Sequence, residues 1–541
     1  MVLKSNQLVK KSDPAFLFAF LTILTGIITL LPFLYFQSEF AQGDHGVNLY
    51  VSQAILNGQK PYRDVHWWYG PLMPYYYAGI FKIFGVSIKS AFLGQYFLLI
   101  LTGLFFYFTL TTIFPLNLSF LGASWFFAVI RINLPNYNHV GGFALMLGVI
   151  YTLFLYLKNN KNIYLYFSLI FIFLLHFIKI NYGLCILFCF VTGLFFIDWL
   201  NKTNINSEKK KIYFFSIIIL PALAGCVYYY FLHDVPLYEI RQCLPYFGND
   251  EPNHSPIHRS ILKLIHYKFH DIKANNIYLI ISGWLLFSIL FIFKFFKSKK
   301  NSPREKRILL EIGTILLGFY ILNLHEFLRS GFFYRAYWAE PLLILGVFIL
   351  AAFPLKDAKK WTQYLFISAA GILLIFYYDA RYKEPEFTID AKHYLSLKKG
   401  EVFLGNSPQW IQTVTQTTEF LNTHLTKDES FLALPYDALY YFLTGKPSPT
   451  RLLIFFIHNK IRPVQEKKII EQMKNDKINW IVLSNRSYSS NKTLGIFGKT
   501  HCLFLNDYIQ THFKTIAQLG QWDKEAQWIE NHGIKILKRI N

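Results

Sequence analysis

Residues 15–36 read AFLFAFLTILTGIITLLPFLYF, an uncharged stretch followed at 43–46 by Gly-Asp-His-Gly. An apolar run of about 22 residues exceeds the ~18 that mark a membrane span. It lacks an Ala-x-Ala cleavage site, so it reads as an uncleaved signal-anchor span. Further apolar runs lie near 91–114, 117–131, 143–157, 163–178, 184–200, 212–232, 277–296, 308–324, 341–354 and 361–377, and a segment at Leu72–Phe84 is apolar enough to dip into the bilayer. These runs define a polytopic α-helical membrane protein of about 11 transmembrane helices.

Charge assigns the sides. Lys4, Lys10 and Lys11 precede the first run, and alternate turns carry Lys158 and Lys161, Lys202 with Lys209, Lys210 and Lys211, Lys297 to Arg307, and Lys356 with Lys359 and Lys360. Cytoplasmic loops are enriched in Lys and Arg, so the N-terminus is expected inside. An odd span count then puts residues 378–541 outside. The long turns assigned to the outside are 37–90, 131–142, 233–276 and 325–340.

Composition agrees. The chain is 53% hydrophobic and 16% charged, against roughly 25% charged in soluble domains. The net charge of +22 would in a soluble chain raise nucleic-acid binding, but here the basic residues cluster between apolar runs. The 5 cysteines follow no metal or redox spacing, and no disulfide framework is encoded. The tail alternates helical and strand patterns: a helix at Trp410–Leu425, a strand at Phe431–Leu434, a helix at Tyr436–Leu443 stopped by Gly445, a helix at Pro463–Lys474, then strands at Trp480–Ser484 and Ile534–Leu537. The expected domains are therefore a membrane domain, 1–377, and an α/β domain, 378–541. No inverted repeat or matched pair of broken spans points to a transporter.

The first outer loop holds the most unusual residues. Val47, Tyr50, Val51, Ala54 and Ile55 follow Asp44 at helical spacing and Asn57-Gly58 ends the run, so a short amphipathic helix lies at the membrane surface. Asp44 at its start has a structural reading as an N-cap. Pro61-Tyr62-Arg63-Asp64-Val65-His66-Trp67-Trp68-Tyr69-Gly70-Pro71-Leu72 follows, placing a second acid and a histidine among aromatic rings. Such rings anchor proteins at interfaces and also form sugar-stacking surfaces, which makes His66, Trp67 and Tyr69 candidate substrate contacts.

This arrangement resembles the GT-C superfamily of membrane glycosyltransferases, in particular the family 39-like enzymes related to dolichyl-phosphate-mannose protein mannosyltransferases and lipid A aminoarabinose transferases. The resemblance rests on Asp44 just after the first span, Asn57-Gly58, Pro61-Tyr62-Arg63-Asp64, Gly70-Pro71-Leu72, Phe81-Lys82-Ile83-Phe84-Gly85, Lys179-x-Asn181-Tyr182-Gly183, and in the tail Leu434-Pro435, Tyr441-Phe442-Leu443-Thr444-Gly445 and Pro449-Thr450-Arg451. Where many relatives place Glu after the loop aspartate, this chain has His45, so no role is carried to that position. The resemblance implies an inverting transfer of a sugar from a polyprenyl-phosphate donor to a protein, lipid or polysaccharide acceptor on the outer face of a bacterial inner (plasma) membrane. It implies no nucleic-acid partner.

A phosphodiester leaves as a stable anion, so the chemistry needs a base for the acceptor hydroxyl and cations for the phosphate. Asp44 is the candidate base. Asp64 is the second catalytic candidate, able to orient the acceptor or to cap its own turn. Lys179, at the end of the fifth run, is a candidate phosphate ligand whose alternative is snorkelling to the interface. Arg329 and Arg335 offer planar forks for phosphate oxygens, with pairing to Glu326 or Glu340 as the alternative. Arg241 and Arg259 lie in the 233–276 loop, where His258, Leu262, His266 and His270 recur at four-residue steps. That spacing suits a divalent metal, and equally a helix lying over anionic headgroups. No metal ligand is assigned, and the identified cofactor-like group is the lipid-linked donor itself. The rival readings are a flippase or transporter for lipid-linked glycans, a polymer ligase and a non-catalytic envelope scaffold.

Overall fold

The computed structural model describes residues 14–37, 40–130, 137–201, 207–243, 340–352, 360–382, 390–488, 495–526 and 530–540, with 311–313, 315–319, 324–326, 355 and 358–359. Helix α1, Pro14–Leu30, begins at a proline, whose missing N–H costs nothing at a helix start. It is shorter than the uncharged run predicts: a 3-10 turn, Leu31–Leu34, takes over at Pro32, and strand β1, Phe36–Gln37, follows. Proline cannot continue the hydrogen-bond ladder and restricts the residue before it, so the run 15–36 is helical only in part.

Among the described residues, four helices are long and apolar enough to cross a membrane: Ile88–Thr111, Asn138–Asn159, Ile180–Trp199 and Ser207–Leu232. Shorter apolar helices are Pro14–Leu30, Leu116–Val129, Ile163–His176 and Glu340–Leu350, and Lys360–Tyr382 forms a helix where the last span is expected. The chain is an integral membrane protein. The expected run 277–296 and most of 308–324 lie outside the described residues. Helix Ser207–Leu232 contains a π-turn at Phe215–Ile219 directly before Pro221, where the chain loses an N–H. The helices pack through aromatic and aliphatic side chains such as Phe106, Phe126, Phe127, Phe143, Leu147 and Phe154, all buried.

A second core joins the first loop to the tail. Helix α2, Gln42–Leu56, and helix α3, Leu72–Phe84, pack together. Tyr50, Tyr77 and Phe81 of these helices, with Phe40 just before α2, share one cluster with Trp410, Tyr436, Leu439 and Phe442 of the tail. Strand β1 also pairs in parallel with β3, Val402–Leu404, which pairs antiparallel with β2, Tyr394–Leu395. The segment just after the first helix is thus stitched to the tail.

The tail's main sheet has four strands: β4, Phe431–Leu434; β5, Trp480–Ser484; β6, Phe513–Gly520; and β7, Gly533–Arg539, in the order β4-β5-β7-β6. β4 and β5 are parallel, joined by a crossover that includes helix Pro463–Asn475, and both are buried along their whole length. Unbroken apolar strands are expected where a parallel pair is covered on both faces. The helix expected at Tyr436–Leu443 begins only at Leu439 and ends at Gly445, whose left-handed backbone closes it. Helix Leu503–His512 and edge strand β6 carry no sequence signal strong enough to find them, because most β6 positions are exposed and a bulge breaks their alternation.

Candidate active site

Asp44 is the third residue of α2; the N-cap position belongs to Ala41, whose carbonyl accepts the His45 N–H at 2.9 Å. The capping reading of Asp44 is therefore corrected: its carboxylate Oδ1 instead accepts the hydroxyl of Tyr436. Its place in the first helical turn favours negative charge. The flanking glycines make this contact possible. A Cβ on Gly43 would sit inside the Tyr436 ring, and one on Gly46 would lie 2.6 Å from the Leu439 backbone nitrogen. Gly-x-x-Gly lets α2 press flat against residues 436–439, and Asp44 is the side chain carried to the contact.

His45 faces elsewhere. Its Nε2 lies 2.9 Å from Gln37 Nε2, its Nδ1 3.2 Å from the Ala41 carbonyl, and its ring stacks on Phe40 at 4.6 Å. Burial lowers its pKa to about 4, so it is neutral near pH 7. It is a packing residue at the junction of β1 and α2.

Tyr436 and its surroundings come from the sheet. β4 and β5 pair with Leu434 opposite Leu483, so Tyr436 and Arg486 leave adjacent parallel strands at their carboxyl ends, where α/β sheets commonly bind ligands. Tyr436 is buried, and burial and then the Asp44 charge push its phenol well above the usual range. Behind it, Asp437 accepts the Ser484 hydroxyl at 2.6 Å and the Gln42 amide at 3.5 Å. Gln42 also accepts the Trp410 indole N–H and lies 2.8 Å from His532 Nδ1, whose other nitrogen meets the Tyr440 hydroxyl at 2.8 Å. The buried polar groups behind Asp44 are thus paired, as burial requires.

The turn at 60–72 brings aromatic rings to the same place. Gly70 N–H donates to Ile178 O at 3.0 Å and Leu72 N–H to Phe177 O at 2.8 Å, and a Cβ on Gly70 would strike the Phe177 carbonyl. This splice sets Tyr69 beside Lys179, whose Nζ lies 5.3 Å from the Tyr69 ring centroid. Trp67 is not an open face for sugar: it is buried, its indole N–H donating to Gly70 O at 3.0 Å. The half-buried neighbour Trp68 is the better-placed ring, 6.4 Å from Tyr436 and 6.3 Å from His458. His66 is buried edge-on to Trp68, and its backbone N–H donates to the Arg451 carbonyl at 2.9 Å. Burial, then the Arg451 charge, hold its ring well below its usual pKa.

The remaining candidates divide. Asp64 pairs with Arg63 at 2.7 Å and accepts the Lys60 N–H at 2.8 Å, so its described partners all lie within its own turn rather than at Asp44. The Arg63 bond is the main cause of its lowered pKa. Lys179 does not snorkel: it is buried in an ion pair with Glu326, which also accepts Asn181 Nδ2 at 2.8 Å. A lysine at this depth needs a counter-charge. Burial would raise the Glu326 carboxyl, yet Lys179, His139 and His325 hold it well below the carboxylate range. Arg241 is exposed on a short helix, Leu237–Cys243. Arg259, Arg329, Arg335 and the histidines from His258 to His270 lie outside the described residues. Among the described residues, no three His, Cys, Asp or Glu side chains converge as a metal site.

The sequence reading assigns no role to two further residues, one of them, Arg451, quoted only as part of the Pro449-Thr450-Arg451 motif. Arg451 ties the tail to the first loop, pairing with Glu239 at 2.8 Å and donating to Tyr62 O at 2.9 Å. Arg486 is 4% exposed, and burial lowers its pKa from the usual guanidinium range, an effect that the charge of Asp437, then those of Tyr436 and Asp44, oppose. For Arg486 the available signal is positional: like Tyr436 after β4, it follows a run that reads as a buried strand.

No family model matches the sequence, and no curated protein does. Solved structures do match. ArnT from Cupriavidus metallidurans in the apo state aligns with TM-score 0.53 at 10% identity, over 96% of this chain and 97% of that one. The same protein bound to undecaprenyl phosphate gives 0.52 over the same shares, again at 10% identity. The apo oligosaccharyltransferase of Archaeoglobus fulgidus gives 0.50 at 11% identity, over 89% of this chain and 71% of that one. The chain has the GT-C fold.

Proposed function

We propose that this chain is an inverting membrane glycosyltransferase that moves a sugar from a polyprenyl-phosphate donor to an envelope acceptor, with Asp44 as base. The observation that carries the reading is Asp44 itself: a half-buried carboxylate in a GT-C fold, set on a glycine-flanked helix turn and bonded to Tyr436 at the carboxyl ends of two parallel strands. In the proposed step Asp44 takes the proton of an acceptor hydroxyl. The freed oxygen lone pair bonds to the anomeric carbon from the face opposite the donor phosphate. The carbon–oxygen bond to phosphate breaks, its electrons leave on the polyprenyl phosphate, and the configuration inverts.

Trp68 and Tyr69 offer half-exposed rings for the sugar, with His66 and Trp67 packed behind them. Lys179, together with Arg241, Arg259, Arg329 and Arg335, supplies the cations proposed for phosphate. Asp64 is proposed to orient the acceptor from its turn. The reaction is placed on the outer face of a bacterial inner membrane, with the N-terminus in the cytoplasm. The family fold also accommodates metal-assisted enzymes, but no step here is routed through a metal. Mass spectrometry of envelope glycans from cells with and without the gene tests the proposal. It expects one glycosylated envelope species to lose a sugar, and an unchanged envelope together with no transfer in vitro would refute it.

A further inference from the structure

Pro449-Thr450-Arg451 is a tail motif for which the proposed reaction has no use, yet it lies against the loop that carries the candidate sugar rings. The residue before it sets its backbone: Ser448 N–H donates to the Tyr50 hydroxyl of α2 at 2.6 Å, and the Ser448 hydroxyl donates to Thr450 O at 2.8 Å, a local bond of the kind serine forms in turns. Arg451 then holds the 62–66 turn at both ends. Its Nη1 donates to Tyr62 O at 2.9 Å, and its carbonyl accepts the His66 backbone N–H at 2.9 Å. At the start of that turn Tyr62 has φ +70°, uncommon for a residue with a side chain, and its N–H donates to Val65 O at 2.8 Å. From each end one contact runs on to a half-buried ring. The Tyr62 hydroxyl donates to Tyr69 O, and the His66 ring stands edge-on to Trp68 with centroids 5.6 Å apart. The same guanidinium has a second set of partners on helix Leu237–Cys243. Its Nε pairs with Glu239 Oε2 at 2.8 Å, both side chains being largely buried, while Nη2 lies 3.5 Å from Gln242 Oε1 and Nη1 3.5 Å from Cys243 Sγ. A planar fork serves a carboxylate and a carbonyl at once, which an ammonium does not.

We propose that Arg451 is a positioning residue: it fixes the 62–66 turn against helix Leu237–Cys243 and, through Tyr62 and His66, sets the Tyr69 and Trp68 rings. That these rings receive the donor sugar rests on the function proposed above; the clamp itself does not. Arg451 acts on the rings and through them on donor binding, not on proton transfer. An interaction made equally in the ground state and the transition state raises KM and spares kcat when it is lost, so the effect of Arg451 belongs in the donor KM. A residue that only stabilised the tail would lower the melting temperature and leave both the 62–72 backbone and the donor KM of the folded protein unchanged.

Two measurements on the full-length protein in lipid nanodiscs test this. Without substrate, amide hydrogen exchange over residues 62–72 is compared in wild type, Arg451→Lys and the double variant Glu239→Gln/Arg451→Gln, which leaves neither charge buried alone. Loss of the bond to Tyr62 O is expected to speed exchange there by about tenfold or more in both variants, with exchange in β4 and β5 as in wild type. With whichever radiolabelled polyprenyl-phosphate sugar wild type turns over fastest, donor KM is expected to rise about 2- to 10-fold, the range for one aromatic contact, while kcat is nearly kept. Trp68→Ala is expected to raise KM similarly, and Arg451→Lys added to it to give less than the product of the two effects, since residues acting through one contact are not additive. Wild-type exchange over 62–72 in the folded double variant overturns the proposal. So does a KM effect of Arg451→Lys that multiplies fully with that of Trp68→Ala. Faster exchange together with wild-type donor kinetics in Trp68→Ala would uphold the clamp and refute the sugar-ring reading alone.

Discussion

The hydroxyl of Tyr436 donates to the carboxylate of Asp44 across 392 positions of sequence, joining the tail to the first loop at the candidate base. Asparagine at position 44 keeps the size and an acceptor oxygen but cannot take a proton. Removing a positioned base typically costs about 10²- to 10⁴-fold in rate, so Asp44→Asn is expected to insert and fold normally while turnover collapses. Tyr436→Phe, which leaves the carboxylate but frees its aim, is expected to fall less. Transfer from radiolabelled polyprenyl-phosphate sugars, in membranes matched for protein level, measures both. Retention of more than about a tenth of wild-type turnover in Asp44→Asn, well above that range, would remove Asp44 as base.

Close packing of α2 on the tail supplies a second prediction. Alanine at Gly46 would place its Cβ 2.6 Å from Leu439 N and 2.9 Å from Leu439 Cα, both backbone atoms that cannot rotate aside. Overpacking of this kind costs about 1–3 kcal/mol. Gly46→Ala is expected to lower the melting temperature in detergent and to lower turnover, since Asp44 moves with its helix. Gly58→Ala makes a poor control because of its positive φ; Gly79→Ala, which meets nothing within 4 Å, is expected to leave turnover unchanged.

How much of this was legible in the sequence depends on what each signal encodes. Apolar length marks the helices well, because a bilayer demands it. Helix ends were less legible: Pro32 cuts the first run short, and Asn138–Asn159 extends beyond the apolar segment 143–157 because polar residues at helix ends cost little. Asp44 was found by its place after the first run. Its partner was not, since nothing in Pro435-Tyr436-Asp437 announces that a distant strand end meets this loop. Trp67 and Trp68 are the same residue type in the same turn, and only the Gly70 carbonyl decides which one is buried.

The topology reading has its own test. The basic turns assign the N-terminus to the cytoplasm and residues after the last helix to the other side. A reporter enzyme active only outside the cytoplasm, fused after Tyr378, is expected to be active. A cytoplasmic result would place Asp44 and the tail on the wrong face for a donor presented outside.

Lys179 and Glu326 form a buried pair whose two members behave differently alone and together. Lys179→Ala strands the Glu326 carboxylate and is expected to destabilise by about 3–5 kcal/mol, read as a fall in melting temperature. Lys179→Met with Glu326→Gln removes both charges and is expected to be much closer to wild type in stability. If Lys179 also binds donor phosphate, that double variant folds yet shows weakened apparent donor affinity. Normal donor kinetics in the folded double variant would assign Lys179 to the framework alone.

Acid should loosen the junction of loop and tail before it protonates the carboxylates. His45 and His532 are both sealed from solvent, and burial lowers their pKa values to about 4 and about 3, against 6.5 when exposed. A depressed histidine means that the unfolded chain binds the proton first. Its contribution to stability is therefore whole above pH 6.5 and declines as the pH falls from there toward the folded value. At pH 5.5, one unit below the exposed value, each ring is expected to have cost about 1 kcal/mol. Both rings sit where β1, α2 and the tail meet, through Gln37, Gln42 and Tyr440, so the loss should appear there as faster amide exchange around residues 36–46 and 532–536. Melting temperature measured from pH 7.5 to pH 5 is expected to fall, and His532→Gln, which keeps a hydrogen-bonding side chain without a titrating ring, should be less stable at pH 7.5 but flatter with pH. A melting temperature independent of pH across that range in the wild type would show that neither ring is buried in the native protein.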